Sequence, residues 1–456
     1  MRKVLGRKRE TVDLTEGSIS KKLILFAFPM MIGNLLQQFY NIVDTLVVGR
    51  FLGENALAAV GSSYTLMIFL ISVIGGLCMG SGVYFSMQFG KKDFGALRQS
   101  FFIAFISILA VTVILNALVY LFLEEIAVFM RIPAEVCPLF CRYLRIVFAG
   151  IFAAFLYNIF ANLLRAVGNS VLPLVFLAVS SVVNILLDLL FVPVLHWGVG
   201  SVAAATVCAQ YLSGIGMAVY YFLRCDRLKL RRADMKWDRR IFLNLSRFSL
   251  MTGLQQSIMN FGILLVQGLV NSFGTVVMAA FAAGVKIDTL AYCPVQDFGN
   301  AFSSFIAQNY GAGKKERISK GIRSAAGMVF IFSAVISCVV VLFAAPLMSL
   351  FVGAESTAVI SVGVEYLRIE GACYLGIGIL FLLYGYYRAV DRPGVSVVLT
   401  VISLGTRVVL AYFLSAFPVF GAAGIWLAIP IGWVLADAAG ILYGLGKRRL
   451  PVGKTE

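Results

Sequence analysis

Apolar runs long enough to cross a bilayer recur twelve times along this chain, and no other feature restricts its fold so severely. They fall near 20–48, 56–88, 96–123, 137–164, 170–192, 199–223, 241–271, 277–309, 322–348, 358–388, 394–416 and 421–445. A helix rises 1.5 Å per residue, so about 20 residues cover the roughly 30 Å of hydrocarbon. Inside that layer every backbone N–H and C=O must find a partner within the protein, which leaves helices or a closed barrel. Barrel strands alternate apolar and polar residues, and these runs do not. The expectation is an all-α integral membrane protein with twelve transmembrane helices. Composition agrees, because 456 residues that are 60% hydrophobic and only 13% charged fall outside the range of water-soluble domains. The first 22 residues are basic, but the apolar run behind them is too long for a signal peptide and lacks a small-residue cleavage site. It reads as the retained first span.

Lys and Arg number 38 against 22 Asp and Glu, a balance that would suit nucleic-acid binding if the charges shared one surface. They sit in alternate loops instead. MRKVLGRKRE, KKDFGALR, RCDRLKLRRADMKWDRR, GKKERISKGIR and GKRRLPVGK are basic, whereas the loops between them hold little beyond Arg50 and Arg131. That is the positive-inside pattern, which puts both termini in the cytoplasm and accounts for the charge without a nucleic-acid partner. The eight cysteines lie mostly within apolar runs, and the CxxxC at 137–141 has no His beside it, so no metal centre is expected. His196, the one histidine, falls in a short outer loop, LHWG, as an interfacial side chain.

Compared with itself, the chain repeats. YLRI occurs at 143–146 and 366–369, RAV at 165–167 and 388–390, both 223 residues apart. QFGKKD aligns with QNYGAGKKER, and the pair at Gln37 and Gln38 with the pair at Gln255 and Gln256, at slightly different offsets. Six spans per copy is an even number, so both copies enter the membrane in the same sense. The predicted architecture is two six-helix bundles, 1–230 and 231–456, related by a pseudo-two-fold along the membrane normal, as in some secondary transporters. The basic stretch near 224–240 is the linker. Two bundles of this kind suit rocking about a central cavity, which a structural scaffold does not need.

Charges at membrane depth mark the candidate site. Asp44 lies about six residues, roughly 9 Å, from the outer end of the first span, and Asp188 about five residues from the outer end of the fifth. Tyr143 and Thr206 enter from the fourth and sixth spans at nearly the same level, and Asn184 is one turn below Asp188. A carboxylate in the apolar zone costs ~2.5–3.5 kcal/mol even on lenient scales, so each Asp needs a partner, a proton or a cation. Two carboxylates close together favour a shared proton, and the oxygens of Thr206, Asn184 and Tyr143 suit a bare hard cation. The competing reading is a structural salt bridge from Arg145 or Arg142. Under the 223-residue offset Asn184 maps to Arg407, Asp188 to Ala411 and Arg145 to Arg368, while Asp44, at the 218-residue offset of the nearby glutamine pairs, falls near Gly262, so this acidic pair belongs to one half only. Pro29 removes a backbone hydrogen bond within the first span and marks either a hinge or a static kink. Gln37 is a cavity candidate. Arg407, Glu370 and Glu365 are candidates for an internal ion network in the second half, with Lys286, Asp288, Asp297 and Asp437 as further membrane-depth charges that read as paired structure.

FPMMIGNLLQQFYNIVDTLVVGRFLG, NLLRAVGNSVLPL, VVNILLDLLF, GVGSVAAATV, KIDTL and AQNYGAGKK, in this order and spacing, resemble the multidrug and toxic compound extrusion (MATE) family over nearly the full length. The resemblance implies an antiporter of the bacterial cytoplasmic membrane, not an enzyme. It would act as a monomer in the lipid bilayer, without a cofactor, exporting small organic, often cationic, compounds in exchange for H+ or Na+. In the DinF-like branch the ion site takes an Asp of the first span, an Asn and Asp one turn apart on the fifth, and neighbouring hydroxyls. These map onto Asp44, Asn184, Asp188, Thr206 and Tyr143, of which the first four are also the ligands for any Na+. Other branches use acidic residues of the seventh and tenth spans, and LQQSIMN (254–260) and CYLGIGIL (373–380) hold none. The alternative is a lipid or lipid-linked sugar flippase of the same superfamily, which would want a basic central groove. A membrane enzyme would need a nucleophile with a base or a metal cluster, and one loop histidine supplies neither.

Overall fold

The structure, a computed structural model, describes residues 12–448 apart from 131 and 354, and the side chains of all of these except 54, 65, 263, 264, 447 and 448. MRKVLGRKRE, Arg131 and the part of GKRRLPVGK beyond Arg448 lie outside the described residues. What is described is helical: α1 (Ile19–Phe51), α2 (Glu54–Gly90), α3 (Phe94–Leu121), the short α4 (Leu123–Phe129), α5 (Cys137–Ala149), α6 (Ile151–Ala166), α7 (Val171–Phe191) and α8 (Val199–Arg224). After a single 3-10 turn at Arg232–Asp234 follow α9 (Arg239–Asn271), α10 (Thr275–Gly311), α11 (Lys315–Leu342), the short α12 (Ala344–Val352), α13 (Thr357–Gly371), α14 (Tyr374–Ala389), α15 (Pro393–Ser415) and α16 (Ala423–Arg448).

Among the described residues nine helices are long and apolar enough to cross a membrane singly, and the pairs α5–α6 and α13–α14 pass as bent spans, with breaks of 40° and 50°. With the 33-residue α9 these make up the twelve long elements expected of the chain. The two breaks fall at equivalent places in the repeat, at Gly150 and at Ala372–Cys373. At the first, the carbonyl of Ala149 accepts a hydrogen bond from the Tyr211 hydroxyl at 2.8 Å. A neighbouring helix thus satisfies a backbone group at the break, as a bent helix in hydrocarbon requires.

The chain divides into two compact units. One takes in everything up to Gly253 together with Ser304–Ile318; the other comprises Leu254–Ser303 and the chain from Ser319 onward. Leaving lipid for protein gives an apolar side chain little transfer energy, so close packing and internal hydrogen bonds hold such units together. In the first unit Phe101 contacts Phe85, Phe160 and Tyr221, and Phe105 contacts Phe155, with ring centroids 5.2–6.0 Å apart. Hydroxyls on these helices mostly return to their own backbone one turn earlier, as Ser63, Ser81, Ser86 and Thr112 do. Gly90 and Gly311 let α2 and α10 meet backbone to backbone. A Cβ on Gly90 would lie 2.0 Å from the Gln308 carbonyl oxygen, and one on Gly311 2.1 Å from that of Met87.

At the end of this unit that carries the basic loops, the segment before α1 is tied down by its main chain. Arg317 donates to the carbonyls of Leu14, Glu16 and Gly17, at 2.7 Å for the last two, and Lys314 donates to that of Thr15 at 2.9 Å. Gln308 accepts from the Leu14 N–H at 3.0 Å and donates to the Ala166 carbonyl at 2.7 Å. Burial alone would push the Asp13 carboxyl up, but hydrogen bonds from Thr15 together with the charges of Lys22 and Lys314 hold it below the usual carboxylate range. The linker is fastened too, since Arg98 of α3 pairs with Asp234 at 2.6 Å and the Tyr221 hydroxyl donates to the Leu228 carbonyl at 2.8 Å.

Candidate functional site

The first unit gathers Asp44 from α1, Tyr143 from α5, Asn184 and Asp188 from α7, and Thr206 from α8. Asp188 has no exposed surface, Asn184, Thr206 and Tyr143 are buried, and Asp44 is half-buried. Helical spacing explains the grouping, because Asn184 and Asp188 are four residues apart and project from one face of α7. The Asp44 and Asp188 carboxyl groups face each other within hydrogen-bonding reach, and both act on the Tyr143 hydroxyl. The Asn184 amide nitrogen lies 3.5 Å from the Thr206 hydroxyl, which itself donates to the Val202 carbonyl at 3.1 Å.

Acceptors dominate this layer. Both oxygens of Asp188, Oδ1 of Asp44 and Oδ1 of Asn184 are buried, and no protein donor reaches them. Buried polar atoms in proteins nearly always have a partner, so four orphaned oxygens on two helices form a cradle for a positive species. An array of carboxylate, amide and hydroxyl oxygens suits a hard cation, and a single proton shared between the carboxyls would supply the missing donor. Arg142 and Arg145 are exposed and leave the Asp188 oxygens unpaired, so neither forms the alternative salt bridge. On the far side of the layer, Val47, Val48, Ala56, Val60, Val192, Val199 and Val202 pack into an apolar plug that includes the Tyr143 ring.

Other candidates disperse. Gln37 is exposed on α1 and hydrogen-bonds Tyr40, which in turn lies near Asp44. Pro29 is buried within α1, and the helix continues through it. Lys286 and Glu365 are exposed, and Asp297 is buried further along α10.

The second unit holds a separate polar cluster. Asp288 of α10 accepts hydrogen bonds from the hydroxyls of Tyr366 and Tyr374 and faces the carboxyl of Glu370 on α13. Arg407 of α15 is the cation whose field reaches both carboxyls. The arrangement depends on Gly284, one turn before Asp288, because a Cβ there would lie 2.5 Å from the Tyr366 ring. Phe281 and Trp426 wall the cluster, with ring centroids 5.5 Å apart, and Trp426 meets Tyr366 edge-on at 5.0 Å. Asp437 of α16 is buried with its Oδ1 unpartnered. The charges of this network were visible in the sequence, but the two tyrosines were not singled out. The signal was there for one of them, since Tyr366 is the repeat equivalent of Tyr143.

Comparison with known proteins fits this picture. The MatE family profile matches residues 29–190 and 252–413, two stretches offset by 223 at both ends, the spacing at which YLRI and RAV recur. The chain is similar to the probable multidrug resistance protein YpnP of Bacillus subtilis (strain 168), 31% identical over 435 residues that cover 94% of this chain and 96% of the relative. It is also similar to a protein of Shewanella oneidensis (strain MR-1) named FAD transporter, 23% identical over 95% of this chain and 96% of that one. Among solved structures, a MOP superfamily transporter from Pyrococcus furiosus Vc1 superposes with a TM-score of 0.91 at 23% identity, covering 97% of this chain and 98% of that one. Family profile, full-length relatives and fold thus converge: the chain is a member of the MATE family of multi-pass membrane transporters.

Proposed function

We propose that this transporter exports amphipathic organic cations from the cytoplasm in exchange for H+ or Na+, and that the Asp44–Asp188 layer binds the exchanged ion. The four orphaned oxygens in one buried layer carry the reading. Asp44 and Asp188 supply the charge, and Asn184, Thr206 and Tyr143 supply neutral oxygens. Ion binding cancels the repulsion between the carboxyls and so favours a different conformation of α1 from the empty site, with Pro29 as its bending point. Differential affinity of this kind is what shifts a conformational equilibrium. Both termini face the cytoplasm, and the halves 1–230 and 231–456 of a monomer move against each other.

Charge balance constrains the energetics. One H+ exchanged for one monovalent cargo moves no net charge, so the membrane potential, worth ~2.3 kcal/mol per charge per 100 mV, adds nothing. Proteoliposomes with H+ and Na+ gradients imposed separately, loaded with a cationic dye, a fluorescent lipid or FAD, test the proposal. Dye export driven by one of the gradients is expected. Asp44→Asn and Asp188→Asn, each correctly inserted, are expected to lower driven export by ~5–150-fold, the range of ordinary coupling energies. Wild-type rates in both variants would refute the ion site. Movement of the lipid alone would favour the flippase reading, and movement of FAD alone an anionic cargo, as the name of one relative suggests.

A further inference from the structure

Residues 12–17, just ahead of α1, form a strap at the end of the first unit that carries the basic loops, and main-chain contacts fix it on two sides. On one side stand α10 and α11. Gln308 and Asn309 meet the Leu14 N–H and carbonyl at 3.0 and 3.3 Å, Lys314 reaches the Thr15 carbonyl at 2.9 Å, and Arg317 donates at once to the carbonyls of Leu14, Glu16 and Gly17. On the other side is the turn between α6 and α7, where a Cβ on Gly168 would lie 2.0 Å from the Val12 carbonyl oxygen. Gln308 joins the two sides, since the amide that accepts from Leu14 also donates to the Ala166 carbonyl at 2.7 Å. Leu14 is left with no exposed surface. All of these residues belong to the first unit. The repeat shows that the fold itself does not demand the contact. At the 223-residue offset Leu14 corresponds to Trp237, which is 54% exposed, and Gly168 to Asp391, which keeps the left-handed turn while carrying a Cβ.

We propose that this strap is a lock on cargo entry: it ties the ends of α6, α10 and α11 together on the side assigned above to the cytoplasm, and it releases Lys314 and Arg317 once in each transport cycle. The lock rests on the export reading, in which the halves 1–230 and 231–456 move against each other. Its two anchorages fall on opposite sides of that division, Ala166 and Gly168 in the first half and residues 308–317 in the second. The helix ends can part only if the strap lets go of one of them. It cannot leave the first half, because Ser18 alone separates it from α1 and Lys22 of α1 donates to the Asp13 carbonyl. The grip from α10 and α11 is therefore the one that opens. Its chemistry suits repeated release, because carbonyls freed at the watery end of the helices are taken up by solvent, which hydrocarbon would not supply. Arg317 holds three carbonyls with one side chain, so it is the catch. The helix that the strap enters also carries Asp44, which gives ion binding on α1 a direct mechanical route to the lock.

Fastening the strap to its catch tests the lock. The Thr15 hydroxyl lies 3.3 Å from the Lys314 ammonium, so Thr15→Cys and Lys314→Cys place two thiols within reach of a short bis-methanethiosulfonate that reduction removes. The pair is introduced into a full-length chain whose eight native cysteines are replaced by serine or alanine. In proteoliposomes the joined chain is expected to lose dye export and to regain it on reduction, while each single-cysteine chain treated alike keeps it. Export by the joined chain at the unjoined rate overturns the lock. A second measurement needs no cross-link. In inside-out vesicles Thr15→Cys alone is expected to react faster with a membrane-impermeant maleimide during turnover than at rest, and Arg317→Gln is expected to raise the resting rate by roughly fivefold for each net hydrogen bond lost. Equal reactivity at rest and during turnover overturns the proposal, and does so equally if the double-cysteine chain fails to fold. A native chain that moves no dye under either gradient refutes the export reading instead, and the cross-link is then read on whichever of lipid and FAD the chain moves.

Discussion

A single side chain shows most plainly how membrane depth turns composition into chemistry. Asp188 was legible in the sequence because VVNILLDLLF is otherwise an apolar stretch with one amide, and a carboxylate there demands compensation. What it faces was legible only as a matching depth. That Asp44 points at it, and that Arg142 and Arg145 do not, depends on the rotation of each helix about its axis, which an apolar run fixes loosely when both lipid and protein accept the same residues. Tyr143 offers a finer test than the acids themselves. Its hydroxyl lies in the field of both carboxyls, and Tyr143→Phe removes one oxygen while preserving the ring in the valine plug. A hydrogen bond of about 1 kcal/mol corresponds to roughly fivefold weaker ion affinity. The ion concentration giving half-maximal dye export should rise by that factor, with the maximal rate little changed.

Elements were easier to place than their interruptions. The twelve apolar runs announced the long helices, yet nothing in CRYLRIVFAGIFAAF marks Gly150 as a break, because its cause lies on another helix. A Cβ at Gly150 would lie 2.7 Å from Oε1 of Gln210 and 2.9 Å from a methyl of Val207, both on α8. Pro29 is the reverse case, an obvious breaker inside a helix that runs on unbroken for 33 residues. If it is the bending point of α1, Pro29→Ala should stiffen the helix and lower turnover while ion affinity holds. Equal turnover in stopped-flow export would mark it as a static kink. The linker obeys a separate rule. The hydrogen bond from Arg98 holds the Asp234 carboxyl below its usual range. A depressed folded value means that this contact contributes fully above about pH 4 and is lost as pH falls through the lower folded value. Hydrogen exchange in residues 225–238 should therefore accelerate only in acid, and at neutral pH in Arg98→Gln. The contact is small and near the surface, so global stability should change by less than about 1 kcal/mol.

For the molecule as a whole, the repeat was the most informative feature of the sequence, and the family match reproduces its 223-residue period. The period does not mark the contact boundaries. The first unit reaches past the linker to Gly253 and also claims Ser304–Ile318, because α9 and α10 each begin or end against helices of the first half. The Gly90–Gly311 crossing is one such place. Gly90→Ala puts a methyl against a carbonyl with no flexible side chain to yield, and overpacking of this kind typically costs ~1–3 kcal/mol. A lower melting temperature in detergent is the expected result. The anchoring of Leu14 to Gly17 by Lys314 and Arg317 bears on how the protein is made. During synthesis the leading stretch leaves the ribosome some three hundred residues ahead of the groups that grip it, so it must wait untethered while eight spans are laid into the bilayer. Its capture is among the later events of assembly, and a ribosome stalled before residue 314 should display that stretch open to a protease that spares it in the finished chain.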